Sequence, residues 1–577
     1  MRVGRICSRK TFYRGWVVVA VMVLFSAGGT ARAFEIPTGC DDWTVRWDNT
    51  FKYNFGERVD SPEHLIINSP NLNYGDANFR RGIVTSRLDD YSELDVAYRK
   101  NFGFRISGSL WYDPAYDQTF NNFAENEHPL APQANRLFEG PDGELLDAFA
   151  YGKFDAGDVP INIKVGRHTI FWGEALLNSQ SISYSQAPID AAKALAVPGS
   201  ELKELFRPLD QVSMQMQLPC DLSIAFQKYL EYQTYRLTEA GSYLGFFNFF
   251  LTGAQPLFVS ALTPLKPLGV SAYVPHGSDL EPSGMDDWGV AARWSPAWLE
   301  GTAGLYYRRL ADMVPSQLYI QEANKTLPFL GKLALPENYF WAYGDDIDLV
   351  GFSLARQICG ISTGLDLSYR HNMPLLSDAI SLTPKESLQP GDLLGARGQT
   401  FHGTLNFIGL LSKCPFWDES SYVVEFGWDH LLSVDQGEKY YVGRKGAATN
   451  PPNPLVPGDT YGADRDAAGV GITFTPSWVQ VFPGMDLSMP LSVSYGMVGN
   501  SCVASSWAAD TGSYSVGLSM TIYQRYIVTL AWIDYFGPLR SFTDPITGQP
   551  VAEFDTSNTN ALLRDRGWIS LTLKTTF

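Results

Sequence analysis

The chain predicts an all-β fold: a large antiparallel transmembrane β-barrel of about sixteen to eighteen strands, with long outer loops and a short helical loop at the mouth. Three observations carry this. Apolar and polar residues alternate with period two in segment after segment, as in Leu94, Val96 and Tyr98 against Glu93, Asp95 and Arg99. Connections sort into short turns on one side and long loops on the other, as outer-membrane barrels require. The last segment, Gly567 to Phe577 (GWISLTLKTTF), is amphipathic and closes on an aromatic.

Taken in order, residues 1–33 read as a secretion signal. Arg2, Arg5, Arg9, Lys10 and Arg14 make a basic opening, Trp16 to Phe25 is an uncharged apolar run, and Ala31-Arg32-Ala33 offers the small residues a signal peptidase needs. Cleavage after Ala33 removes six basic residues and no acidic one, taking the formal charge from −17 to −23. So acidic a surface repels nucleic-acid phosphates, which excludes a nucleic-acid role. With 45% apolar and 14% aromatic residues, the chain has ample surface to bury in a core or in lipid. Residues 34–577 form one barrel domain, since no stretch reads as a linker.

From Glu93 to Tyr112 two strands flank a turn at Lys100-Asn101. Leu145 to Leu218 gives a strand, a tight turn, a strand ending in GRHTIFWGE, a polar and partly helical excursion, and another strand from about Leu209. Alternation recurs at Ile361 to Tyr369, Tyr422 to Trp428, Val470 to Phe474, Leu491 to Met497 and Tyr514 to Ile522. Trp43, Trp47, Trp111, Tyr112, Trp294, Trp298, Tyr306, Tyr307, Trp428, Trp532 and Trp568 fall near strand ends and are expected as interfacial girdles.

The polar phase supplies the expected lumen charges Arg87, Asp89, Glu93, Asp95, Arg99 and Arg105, then Asp366, Arg370, Glu425, Asp429 and Lys574. These either set a field across the lumen or pair across it and solvate it. Ile161, Ile163 and Val165 share a phase that would carry Arg167 into lipid; a bulge at Gly166 is expected to turn it inward. Asp190 to Arg207 contains a short SELKEL helix that Ser200 can cap, with Lys203 pairing Glu204 or Asp190. This segment is expected to fold into the mouth as a constriction, gathering Arg167, Trp172, Glu174, Asp190, Glu201, Lys203 and Arg207.

Ala240 to Leu265 carries no charge and crowds Phe246, Phe247, Phe249, Phe250 and Phe258. Gly253 and Pro256 break it as a helix, so it reads as an outer loop, either an access surface for greasy ligands or packed on its neighbours inside the barrel. Cys359 and Cys414 fall in successive turns on one side; a disulfide between them is one reading, free thiols the other. No CxxC or HExxH occurs, and GISTG from Gly360 to Gly364 opens a strand rather than a nucleophile elbow. Neither metal, cofactor nor catalytic residue is expected.

Leu72 to Asp113, Gly166 to Ala175 (GRHTIFWGEA) and Pro198 to Leu218 (PGSELKELFRPLDQVSMQMQL) resemble the proteobacterial outer-membrane family catalogued as a domain of unknown function, number 1302, from about Asp42 to Phe577. His168 stands where that family usually has Gln, and Ala175 where a small hydroxyl residue is usual. The resemblance implies a conduit in the outer membrane for hydrophobic or amphipathic small molecules or lipids. It also implies work with a periplasmic lipid-carrier-like protein and an inner-membrane pump of the resistance-nodulation-division type. The terminal Phe577 resembles the signal read by the outer-membrane assembly machinery. A plugged structural or adhesion barrel is the other reading, and an outer-membrane hydrolase a third.

Overall fold

The computed structural model describes residues 34–116, 137–138, 140–177, 180–250, 253–443, 462–552 and 559–577. The expected signal at 1–33 lies outside them. Period-two alternation does produce strands, and they close. In chain order the barrel strands are β1 (Trp43–Arg58), β2 (Gly82–Tyr98), β3 (Phe102–Tyr112), β4 (Asp142–Ala156), β5 (Val159–His168) and β6 (Leu209–Leu218). Next come β7 (Leu222–Tyr229), β8 (Trp288–Trp294), β9 (Gly301–Leu310), β10 (Ile347–Ile358), β11 (Ile361–Pro374) and β12 (Arg397–Leu411). The ring is completed by β13 (Glu419–Gln436), β14 (Asp466–Phe482), β15 (Met485–Ser488 with Leu491–Val498), β16 (Gly512–Ile522), β17 (Tyr526–Phe536) and β18 (Trp568–Thr576). Each pairs antiparallel with its chain neighbours, and β18 also pairs with β1 from Thr50↔Thr576 to Arg58↔Trp568. Closure leaves no free sheet edge, the condition for a sheet to stand in lipid.

The two phases of each strand meet different surroundings. Outward residues form an exposed apolar belt, among them Ile106, Leu110, Val165, Leu305, Val350, Leu530 and Ile569. Inward residues are polar and buried: Lys52, Asn54, Arg87, Gln211, Gln227, Arg308, Asp366, Arg370, His402 and Glu425. This is a transmembrane barrel of the outer-membrane kind, apolar outside and polar within. Trp43, Trp47, Trp294, Trp298, Trp428 and Trp532 stand exposed as a girdle requires, but Trp111, Tyr306 and Trp568 are buried. Their strand positions share the inward phase, so they pack against loops rather than face lipid.

Both described ends of the barrel chain lie on the side of the short turns. One such turn, Cys359-Gly360, has positive φ at both positions (50° and 82°), the twist a two-residue hairpin needs. Cys359 and Cys414 are both free, so of the two readings free thiols are the one observed. The centres of the β10–β11 and β12–β13 turns are two strand spacings apart, about 9–10 Å. A disulfide needs Cα atoms within about 7 Å.

The long loops gather at the other end. There Phe246, Phe247, Phe249 and Phe250 are buried in one apolar core with Ile66, Leu72, Phe79, Trp341, Tyr535 and Trp568, and Phe258 packs half-buried at its edge. Of the two readings of this stretch, packing on its neighbours is the one observed; these four rings offer no exposed access surface.

Candidate functional site

The loop between β5 and β6, residues 169–208, does not stay at the mouth. It enters the lumen in two halves, held in different ways on walls nearly opposite each other in the ring of eighteen.

The first half turns inward through Trp172-Gly173-Glu174. Trp172 is buried beside Tyr306 of β9, with ring centroids 6.0 Å apart, in space left by Gly289 of β8, where a Cβ would lie 2.7 Å from the indole. Gly173 has φ +93°, and a Cβ there would lie 2.5 Å from an Asp366 carboxylate oxygen. Glycine is therefore required on both grounds. That close approach lets Asp366 of β11 accept from the N–H groups of Glu174 (2.9 Å) and Ala175 (3.2 Å). Glu425 of β13 accepts from those of Leu176 (2.6 Å) and Leu177 (3.0 Å). Farther on, Arg308 of β9 donates to the carbonyls of Ile182 (3.0 Å), Tyr184 (2.6 Å) and Ser185 (3.0 Å). Arg370 of β11 donates to Ser181 and stacks 3.9 Å over the Tyr184 ring. Wall charges here are used up on loop backbone, which satisfies buried N–H and C=O groups that have no sheet to join.

The second half holds helices α1 (Ala191–Ala196) and α2 (Leu202–Leu205) and is fixed by side chains. Asp190 caps α1 by accepting from the Lys193 N–H at 2.8 Å and pairs with Arg236 at 2.7 Å. Arg236 also meets Glu144 of β4 at 2.8 Å, and Arg207 reaches that carboxylate at 3.2 Å. Glu204 pairs with Lys52 of β1 at 2.6 Å and with Lys193 at 3.3 Å; Lys52 and Glu204 are almost wholly buried. Glu201 meets Lys574 of β18. Burial opposes the charge on Glu204, but Lys52 and Lys193 outweigh it and hold the carboxyl below its ordinary value. Burial likewise opposes the Arg236 charge, and Asp190 and Glu144 more than offset it.

The expected constriction residues thus separate. Trp172 and Glu174 belong to the first half; Asp190, Glu201, Lys203 and Arg207 to the second. Lys203 pairs with Glu201 at 3.5 Å and lies 4.5 Å over Tyr91, not with Glu204 or Asp190. Glu201, not Ser200, precedes α2 as its N-cap residue; the Ser200 hydroxyl instead accepts from Lys52 at 2.9 Å. Arg167 is the clear correction. Pairing runs unbroken through Gly166, with no bulge, so Arg167 keeps the outward phase. It sits at the loop-bearing rim, bound to Glu231 (2.9 Å) and Asp210 (3.4 Å), which neutralise it there.

Of the lumen charges, Arg87 and Asp89 form a bidentate pair at 2.9–3.0 Å, and Arg105 binds Asp95 (2.6 Å) and Glu93 (3.5 Å). Pairing, not opposed rings, is the arrangement. Arg99 is not in the lumen: it occupies the β2–β3 turn with φ 50° and meets Asp42 outside at 3.0 Å. Residues the sequence reading passed over include Lys52, Glu144, Arg236 and Arg308. Lys52 had a signal, since it alternates with Phe51, Tyr53 and Phe55; Arg236 lies in a loop and had none. Two histidines make contacts of catalytic type. His168 meets Ser213 at 2.8 Å, and His402 bridges Thr400 (2.9 Å) and Asp429 (2.5 Å). All five are buried on the inward phase, so neither faces the membrane. Among the described residues no cluster of His, Cys, Asp and Glu could hold a metal ion.

This geometry, a closed barrel with a lumen-crossing loop, defines a class. The particular family follows from sequence: residues 14–577 match the family described as "Protein of unknown function (DUF1302)", and the chain belongs to it. The match begins nearer the N-terminus than the resemblance at Asp42. No curated protein matches the chain. Among solved structures, the outer membrane protein opdK from Pseudomonas aeruginosa is 7% identical, with 92% of this chain and 98% of that one covered, at a TM-score of 0.38. OccAB3 from Acinetobacter baumannii is 8% identical, with 92% and 99% covered, at 0.42. Likeness at that identity and score supports no statement about cargo.

Proposed function

We propose that this protein is an outer-membrane channel whose lumen is narrowed by the 169–208 loop. The observation that carries the reading is the docking of that loop's halves on nearly opposite walls, Asp366 and Glu425 on one and Lys52 and Lys574 on the other. A segment tied to both walls divides the lumen and sets what passes. The cargo in this reading is hydrophobic or amphipathic small molecules or lipids, as the resemblance of the sequence implies. A periplasmic lipid-carrier-like protein and a resistance-nodulation-division pump would receive or supply that cargo. Phe577, stacked 5.5 Å from Phe51, would be read by the assembly machinery on the way into outer-membrane lipid. The protein is read as a conduit, not an enzyme.

Single-channel conductance of the refolded protein in planar bilayers tests this, with and without Asp190 to Arg207. Conductance that is small in the intact protein and grows on deletion supports a constricted channel. Silence in both forms would favour the plugged barrel, for which the buried aromatic core over the mouth is the supporting observation. Release of a fluorescent amphiphile from proteoliposomes, faster than that of a sugar of equal mass, tests the cargo.

A further inference from the structure

We propose a second binding site, on the lipid-facing wall across β2, β3 and β4, for a hydrophobic chain ending in a hydrogen-bond-donating amine. It rests on the closed barrel and its outward belt, and it stands whether or not the lumen conducts. Asp90 is the midpoint of β2 and faces outward in register with Leu110 of β3 and Phe51 of β1. Its Oδ1 atom is enclosed, and neither carboxylate oxygen accepts a hydrogen bond among the described residues, which leaves Oδ2 as the oxygen open to the groove. A carboxylate facing hydrocarbon is costly unless a donor or cation meets it. Among the described residues none is supplied.

Around Asp90 the wall is not flush. Two residues along, Ser92 lies opposite Gly108, whose lack of a side chain leaves a gap in the belt. Beside it the β3–β4 pairing slips, with Ile106 opposite Ala148 but Gly108 opposite Leu145, so β4 carries one extra residue. Across that bulge the Asp147 N–H donates to the Ser107 hydroxyl at 3.0 Å in place of a ladder bond. The result is an outer groove of about 380 Å³ with a polar floor of Asp90 and Ser92, flanked by the exposed Ile106, Leu110 and Leu145. Apolar walls suit an alkyl chain, and the unmet carboxylate oxygen suits an ammonium head. Glu144 and Ser109 line both this groove and a small cavity on the lumen side, with the Arg236 and Lys193 anchors on its far wall. A bound head would therefore lie one strand thickness from the lumen loop.

The full barrel in phosphatidylcholine nanodiscs, exposed to a diazirine-bearing hexadecylamine, tests the site. Photolabel is expected to concentrate on β3 and β4 around Leu110 and Leu145, and to fall at least about tenfold in Asp90→Asn, the worth of a hydrogen bond to a charged group. Leu110→Trp, which fills the groove with Asp90 intact, is expected to lower labelling as well. Both variants are first shown to be folded by heat-dependent gel mobility, and the hexadecanoic acid analogue should label only at background. Addition of phosphatidylethanolamine distinguishes sources: displacement marks a membrane-lipid amine as the occupant, and persistence marks the free amphiphile. Label spread evenly round the belt, or unchanged in Asp90→Asn, overturns the proposal.

Discussion

The two halves of the lumen loop solve one problem by opposite means. In residues 172–185 the wall reaches for the loop's backbone: Asp366 and Glu425 accept its N–H groups, Arg308 and Arg370 donate to its carbonyls. In residues 190–207 side chain meets side chain, with Glu204 on Lys52, Glu201 on Lys574 and Asp190 on Arg236. Backbone docking tolerates nearly any loop side chain but demands a particular path, and so a glycine at 173. Side-chain docking tolerates variation in path but demands particular charges.

The contrast can be broken from either side. The largest effect is expected from Lys52→Met, which leaves the buried Glu204 with Lys193 as its remaining cationic partner; removing one partner of a buried pair costs about 3 kcal/mol or more. Raised open-channel noise and a lowered thermal midpoint of the folded band would show it. Gly173→Ala is expected to cost about 2 kcal/mol through left-handed strain together with the Asp366 contact, and to free the first half alone. Cysteine accessibility at Leu177 reads that release. Asp366→Asn is milder, about 1–2 kcal/mol, since an amide oxygen still accepts one N–H but without the charge.

Acid sharpens the comparison. Glu201 and Glu204 are both held below the ordinary carboxyl value, against the push of burial, by Lys574 and Lys203 in the one case and Lys52 and Lys193 in the other. A depressed folded pKa contributes stability that is fully present above the unfolded value and is lost as pH falls through the folded one. Conductance of the intact protein is therefore expected to stay flat at neutral pH and rise below about pH 4 as the second half lets go. A flat profile down to pH 3 would sink this account. Arg99→Ala, by contrast, should leave conductance and thermal midpoint unchanged, because its pair with Asp42 is exposed.

How much of this was legible beforehand follows the same division. Strand alternation, the sorting of loops and the inward fold of Asp190 to Arg207 were readable because each is written in side-chain type and spacing. The backbone-held half was not. Asp366 and Glu425 were visible as lumen charges, but nothing in a sequence says that their partners are main-chain N–H groups nearly two hundred positions or more away. Arg167 misled for a related reason: its neutralising partner Glu231 lies across two further strands, so a bulge looked necessary where a rim salt bridge sufficed. The Phe246 to Phe250 run showed its composition but not its burial, which depends on residues from the far ends of the chain, such as Leu72 and Tyr535.

One feature also bears on how the barrel is made. Lys52 and Lys574 stand on β1 and β18, cross-strand neighbours at the place where the ring closes, and α2 lies across both, Glu204 on one and Glu201 on the other. Gly199 rides against Thr572 on the same β18, with room for no more than a tight Cβ contact at 3.2 Å. The loop therefore acts as a clasp on the inside of the closing seam. It can fasten only once the last strand has arrived, so seating of this segment would mark the end of assembly rather than a step on the way.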